Sequence, residues 1–152
     1  MLENEEATSI SLDEKVMIFV VMASEIFKKK SSSVFRQYGL TFSQYNVLKY
    51  LVACEQGRDT VGNVGKSMLV TGANITGLAK RMEKNGLIER KNDAKDERLT
   101  ILQITPKGLT ALDKIRDIQE QHIGRYLRMF SQDRKEETLA ILKHIVRRGR
   151  QF

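Results

Sequence analysis

The chain has 152 residues, of which 41% are hydrophobic and 30% charged, so one folded domain with a single core is expected. The formal net charge of +7 favours a polyanionic partner, chiefly nucleic acid. A single Cys excludes an intrachain disulfide, and the acidic N-terminus and the lack of a long apolar run argue against a signal peptide and a membrane span. We therefore expect a cytoplasmic protein.

The first predicted element is a long helix from Ser11 to about Tyr38. Apolar residues recur at spacings of three and four between Val16 and Phe27, which forms one apolar stripe along the helix. Gly39 follows as the expected C-terminal cap.

Three shorter helices are predicted next, each between a capping residue and a stop. They run from Thr41 or Ser43 to Gly57, from Thr60 to about Leu69, and from Thr71 to Gly86. The last of them carries a narrow apolar stripe, formed by Ile75, Leu78, Ala79 and Met82.

A β-hairpin is predicted after these helices. Residues 87–91 form its first strand, and the segment NDAKDERLTILQIT at 92–105 begins as a charged turn and ends in strand-like alternation. A short helix, a tight turn, a second helix and a hairpin follow the order of a winged helix-turn-helix. The predicted fold class is therefore mainly α, with a small α+β winged helix-turn-helix at residues 41–105.

Two more helices complete the chain. Thr105 is a natural N-cap and Pro106 a natural first residue for the fifth helix, and Ser131 opens the sixth. The two long arms, residues 11–38 and 106–148, are too apolar to face solvent. We expect them to pack together and against a second copy in a symmetric dimer.

These segments closely resemble the MarR family of bacterial transcriptional regulators over residues 11–148. The resemblance lies in GLTFSQYNVLKYL, in NITGLAKRMEKNGLIER for the recognition helix and first wing strand, in DAKDER for the wing tip, and in LQITPKG for the return. It implies one MarR-type domain over residues 1–152 and a homodimer that binds a palindromic operator on double-stranded DNA. It further implies regulation, usually repression, with release by a small aromatic or amphipathic effector.

The expected DNA contacts follow from the resemblance and from side-chain chemistry. On the fourth helix, short polar side chains suit base edges and lysines suit phosphates. The candidates on the helices are Ser43, Lys66, Thr71, Asn74, Thr76, Lys80 and Lys84. For Ser43, simple helix capping is the alternative. Gly77 stands where many relatives of the family carry a larger residue, which predicts thinner base readout.

The wing supplies the remaining candidates, Lys95, Asp96 and Arg98. The resemblance implies that Arg98 enters the minor groove, whose negative potential attracts arginine, and that Asp96 orients its guanidinium. Acidic residues in this loop are expected to pair with Arg98, Arg90 or Lys95 and to shape the turn. A solvated charged turn without a role is the alternative.

The sequence predicts no enzyme, cofactor or metal site. The chain is too short to add a catalytic domain, has no glycine-rich cofactor loop, and carries His122 and His144 on separate helices. Cys54 is expected to be a small buried residue rather than a redox sensor. Met17 and Met22 are interface filler or, alternatively, part of an effector pocket. A winged helix that binds protein instead of DNA is the alternative function, and it predicts an acidic or neutral recognition face.

Overall fold

The structure, a computed structural model, describes residues 10–68 and 72–151. Within these ranges the chain forms six α-helices and three short strands. The helices are α1 (Leu12–Arg36), α2 (Phe42–Ala53), α3 (Val61–Met68), α4 (Gly72–Lys84), α5 (Pro106–Leu127) and α6 (Gln132–Gly149). The strands are β1 (Arg58–Thr60), β2 (Ile88–Asn92) and β3 (Thr100–Ile104). The predicted fold class is confirmed.

The chain divides into two compact units, Met1–Ile115 and Arg116–Phe152. The first unit contains α1 to α4, the sheet and the start of α5. The second contains the rest of α5 and all of α6. The described residues include no helix that is long and apolar enough to cross a membrane.

The sheet has three antiparallel strands in the order β1-β3-β2. The β2–β3 hairpin is the predicted wing, with Ile88 opposite Ile104 and Asn92 opposite Thr100. The strand β1, which pairs with β3, was not predicted. Helix α2 ends at Ala53, earlier than predicted, and a 3-10 turn leads into β1. Three residues are too few to show the period of two that identifies a strand.

Side chains cap the helices largely as the sequence predicts. Ser11 caps α1 and Ser131 caps α6, each accepting a backbone N–H bond three residues on. Thr41, and not Ser43, caps α2: its hydroxyl accepts from the backbone N of Gln44, whose side chain accepts from the backbone N of Thr41. Thr71, the expected cap of α4, lies outside the described residues.

Two helices end in the same glycine turn. After α1, Gly39 has φ +74°, and the N–H of Leu40 donates to the carbonyl of Phe35. After α4, Gly86 has φ +71°, and the N–H of Leu87 donates to the carbonyl of Met82. This is the Schellman geometry, in which glycine takes the left-handed position and satisfies carbonyls at the helix end.

The core lies inside the first unit. It is built from α1, α2, α3, α4, the wing and the start of α5, and its members are Phe35, Leu40, Val47, Leu48, Leu51, Val64, Ile75, Ala79, Met82, Leu87, Ile88, Leu102, Leu112 and Ile115. Gly108 brings α5 against the wing, because a Cβ at that position would run into the carbonyl oxygen of Leu87. The core therefore fixes α4 and the wing to a common support.

Candidate nucleic-acid interface

Helix α4 has one buried face and one basic, exposed face. Ile75, Ala79 and Met82 are buried, as the apolar spacing predicts, whereas Leu78, the fourth member of the predicted stripe, is only half-buried. Asn74 and Lys80 are exposed on the remaining surface. This face is polar and basic, which disfavours the alternative of a winged helix that binds an acidic or neutral protein surface.

Thr76 is only half-exposed, and its hydroxyl is already engaged. The Thr76 Oγ1 donates to the carbonyl oxygen of Gly72 at 2.8 Å. In this arrangement the side chain offers an acceptor and a methyl group to a ligand, and no free proton. Thr76 was expected to contact a base edge as a short polar side chain, and in this rotamer it could do so only as an acceptor.

Arg81 is a basic residue of α4 that the sequence reasoning left out. It is exposed, and its Nη1 lies 3.6 Å from the position where a Cβ on Gly77 would stand. The guanidinium thus lies along the helix over the glycine, one turn towards the N-terminus. Residues four apart are neighbours on a helix surface, so the sequence spacing of Gly77 and Arg81 already indicates that the arginine can cover the glycine.

The wing turn is shaped by its own acidic side chains. The Asp93 carboxylate accepts from the backbone N–H groups of Lys95 at 2.7 Å and Asp96 at 3.0 Å. The backbone N of Leu99 then donates to the carbonyl of Asp96 at 2.9 Å. Asp93 therefore stabilises the loop backbone and does not pair with a basic side chain. Lys95 is exposed.

Asp96 and Arg98 form the ion pair that the sequence predicts. The Arg98 Nε donates to Asp96 Oδ1 at 3.0 Å, and its Nη2 donates to Asp96 Oδ2 at 3.3 Å. The backbone N–H of Arg98 also donates to Oδ1, at 3.1 Å. These hydrogen bonds from Arg98 hold the pKa of Asp96 below its ordinary value. The Arg98 side chain is nevertheless 90% exposed, so the pair orients a guanidinium that projects into solvent.

A cleft of about 260 Å³ lies between the start of α3, the middle of α4 and the wing. Thr76, Arg90 and Arg98 all line it. Arg90 pairs with Glu83 of α4, Nη1 to Oε2 at 3.4 Å, and not with an acidic residue of the wing as the sequence reasoning proposed. Its Nε is buried without a hydrogen-bond partner. Arg90 lies on the same face of β2 as buried Ile88, which brings its side chain towards α4.

The remaining predicted residues occupy other parts of the first unit. Ser43 is exposed in the first turn of α2, and Lys66 is exposed in the last turn of α3. Lys84 is exposed about 12 Å along the axis of α4 from Thr76, since the rise is about 1.5 Å per residue. It lines a groove of its own with residues of α5.

A partly buried network of hydrogen bonds, centred on Asp59, joins α2 to the start of α3. The Asp59 carboxylate accepts from Tyr50 Oη at 2.7 Å, from Asn63 Nδ2 at 2.8 Å and from the backbone N of Thr60 at 2.7 Å. Burial alone would raise the pKa of Asp59, but these hydrogen bonds outweigh it and the pKa is lowered. The hydrogen bond that Tyr50 donates to Asp59 is the main cause that raises the pKa of Tyr50. The network fixes the turn between the two helices.

Cys54 lies beside this network. Its Sγ is 4.0 Å from the Asp59 carboxylate, and the side chain is half-buried. Cys54 was expected to be buried, but it is only half-buried at the edge of this network.

The exposed basic face of α4, the preceding helix and an arginine-bearing wing define a winged helix-turn-helix protein. The profile of the family described as transcriptional regulator SarA/Rot matches residues 29–115. The chain belongs to this family of transcriptional regulators, which is the MarR type that the sequence motifs predict.

Similar proteins support this assignment along most of the chain. The HTH-type transcriptional regulator YkoM of Bacillus subtilis is 28% identical over 133 residues, which cover 86% of this chain and 85% of that protein. AbsC, a MarR family transcriptional regulator from Streptomyces coelicolor, has a similar fold with a TM-score of 0.85 at 18% identity, covering 96% of this chain and 100% of that one. MepR of S. aureus, solved in complex with DNA, has a TM-score of 0.77 at 25% identity, covering 86% and 95%.

Proposed function

We propose that this DNA-binding transcriptional regulator acts as a homodimer on a palindromic operator, and that it represses transcription there. Helix α4 enters the major groove, and the wing places Arg98 in the adjacent minor groove. The protein works in the cytoplasm, where bacterial DNA lies, and catalyses no reaction.

The Asp96–Arg98 pair is the observation that carries this proposal. Asp96 would repel phosphate if it faced DNA alone, but its carboxylate accepts three hydrogen bonds from Arg98. A guanidinium held in this way is oriented before it binds, which reduces the conformational entropy lost on binding. A narrow minor groove, with its enhanced negative potential, is the natural site for such a side chain.

The candidate residues on the helices and the wing divide into those that contact base edges and those that contact phosphates. Asn74 and Thr76, near the start of α4, face base edges, and Thr71 precedes them in the chain. Phosphate contacts come from basic or capping residues at the margins of the surface, which are Ser43, Lys66, Lys80, Lys84 and Lys95. Arg81 joins this second group because it is exposed on α4, and Arg90 joins it because it lines the cleft beside α4.

The two helical arms support the homodimer. Large apolar side chains on α1 and α6 are exposed in the single chain, among them Leu12 at 76%, Phe19 at 57% and Ile141 at 52%. Apolar surface of this extent marks an interaction site in a protein that does not aggregate. A second copy of the chain supplies matching helices and also places two recognition helices on two half-sites.

We also propose that a small aromatic or amphipathic effector releases the protein from DNA. In the second unit, Leu127, Phe130 and Leu142 line a largely apolar cavity of about 560 Å³ on α5 and α6. This volume is within the range of small-molecule sites. Because the same helices are the proposed dimer arms, a ligand there would alter the spacing of the two recognition helices.

The salt dependence of DNA binding tests the proposed function. Binding to the DNA upstream of the protein's own gene should weaken with a log–log slope on the order of −5 or beyond, because two copies neutralise several phosphates. The measurement is fluorescence anisotropy from low to moderate salt. A slope near zero would remove the electrostatic basis of the proposal.

A further inference from the structure

A second basic surface lies in the first unit, at the end of α4 that is remote from Asn74. It is a groove of about 610 Å³ between the α1–α2 loop, the last turn of α4 and the start of α5. Its lining includes three lysines, Lys84, Lys107 and Lys114. We call it the lysine groove.

The positive charge of the lysine groove is not neutralised by acidic residues in its lining. None of the residues that line it is acidic, and the ion pairs formed by described residues involve other lysines and arginines. Lys107 is held in place, since its Nζ donates to the carbonyl oxygen of Asn85 at 2.7 Å. Three ammonium groups that share one concave surface repel one another, and an anion would relieve this repulsion.

The walls of the groove are set by rigid turns. Gly39 and Gly86, which both adopt positive φ, end the helices on either side. The Thr105 hydroxyl donates to the carbonyl of Gly86 at 2.6 Å, and the backbone N of Thr105 donates to the carbonyl of Leu87 at 3.2 Å. The groove is therefore formed before any ligand arrives, which favours affinity.

Apolar groups complete the lining. Tyr38, Leu40 and Ala111 lie in the same groove as the lysines. A ligand that satisfies both features has a compact, multiply charged anionic group and a short apolar body. A phosphate monoester carries about two negative charges at neutral pH and three strong acceptor oxygens, which suits several lysines better than a single carboxylate does.

We propose that the lysine groove binds a small organic phosphate monoester. Lys107 and Lys114 contact the phosphate from α5, Lys84 contacts it from α4, and the apolar residues receive the organic part. The groove is concave and has the volume of a small-molecule site, whereas contact with a DNA backbone needs only exposed lysine tips. Lys84 is shared with the proposed DNA contacts, whereas Lys107 and Lys114 are not, so the substitutions that test this inference are made at Lys107 and Lys114.

The test uses the full-length protein without DNA, with phenyl phosphate as the probe. In two-dimensional NMR, a saturable titration should shift the amides of Gly39, Gly86 and Lys107. Lys107→Gln and Lys114→Gln should each weaken binding by at least about fivefold, since each removes a charge that contacts the phosphate. Lys49→Gln, the same change at an exposed residue outside the groove, should leave the affinity within about twofold.

Four comparisons can overturn the proposal. Phenol should not bind at the same concentration, and inorganic phosphate should bind more weakly than phenyl phosphate. Equal affinity for inorganic phosphate would show that the apolar lining has no role. Equal loss in Lys49→Gln would show non-specific attraction, and shifts at the groove with a random DNA duplex but not with phenyl phosphate would make it a DNA contact.

Discussion

The winged-helix region and the helical arms bury their apolar residues to very different extents. Of the buried hydrophobic side chains in the described residues, Phe35, Leu112 and Ile115 lie on the arms, close to the winged-helix region, and the others lie between Leu40 and Leu102. Helix α6 has no buried residue, and the buried residues of α1 are Ser31 and Phe35, near its end. The winged-helix region buries its apolar residues within one chain, whereas the arms leave apolar surface exposed, which the proposed second copy would cover. Folding and assembly thus depend on different residues.

Paired substitutions of leucine test this difference most strongly. Leu48 is fully buried in the winged-helix core, and Leu142 on α6 is 38% exposed. Leu48→Ala should lower the free energy of unfolding by about 2–5 kcal/mol, through lost burial and the cavity left behind. Leu142→Ala should change the stability of the single chain by less than about 1 kcal/mol but weaken the dimer. Denaturation at several protein concentrations separates the two effects.

His144→Glu is the control for the arm, because His144 is exposed on α6 two residues beyond Leu142 and on a different side of the helix. It should leave the dimer intact. If Leu142→Ala destabilised the chain as much as Leu48→Ala did, at every concentration, the contrast between the regions would be wrong.

Within the winged-helix region, binding and stability should also separate. Arg98→Ala should weaken operator binding by roughly 1–3 kcal/mol, because it removes the side chain placed in the minor groove. The free energy of unfolding should change by no more than about 0.5 kcal/mol, since this side chain is exposed. Anisotropy at fixed salt and a thermal melt make the comparison. Unchanged affinity would exclude the proposed role of Arg98.

The sign of the effect of Asp96→Ala sharpens the role of the wing. If Asp96 orients Arg98, its removal should weaken operator binding, although it also removes a negative charge near phosphate. The double variant, Asp96→Ala with Arg98→Ala, should bind little worse than Arg98→Ala alone, because the two residues act as one unit. Tighter binding by Asp96→Ala, in a protein that still folds, would mean that the carboxylate only repels DNA.

The smallest expected effect concerns His122 on α5 and depends on pH. Burial, and secondarily the charge of Arg125, lower the pKa of His122. Below the unfolded pKa of about 6.5, the unfolded chain takes up a proton that the folded chain resists, so the free energy of unfolding should fall as the pH drops from about 7.5 to 5.5. His122→Gln should flatten this dependence. An equally steep profile in the variant would place its origin elsewhere.

Local chemistry explains why much of the fold could be predicted from the sequence. Ser11 and Ser131 act as caps because a hydroxyl satisfies free N–H groups wherever a helix starts, and Gly39 and Gly86 stop helices because they accept positive φ. Asp96 and Arg98 are two residues apart in one turn, so their pairing could be predicted from the wing motif. These features need no knowledge of distant neighbours.

Features formed by distant segments could not be predicted in this way. Strand β1 exists because β3 pairs with it, and three residues carry too little pattern to show this. The pairing of Arg90 with Glu83 depends on how the wing packs on α4. The lysine groove joins residues that are 30 positions apart in the sequence, such as Lys84 and Lys114. Only the tertiary fold brings them together.

The mass of the protein in solution, alone and on DNA, tests the central claim most directly. Sedimentation equilibrium at micromolar concentration should give a dimer, and the complex with the DNA upstream of its own gene should contain two chains per duplex. The arms would then cover each other's apolar surface while the two winged-helix regions read two half-sites. A monodisperse monomer that binds this DNA as one chain per duplex, with undiminished affinity, would contradict the claim.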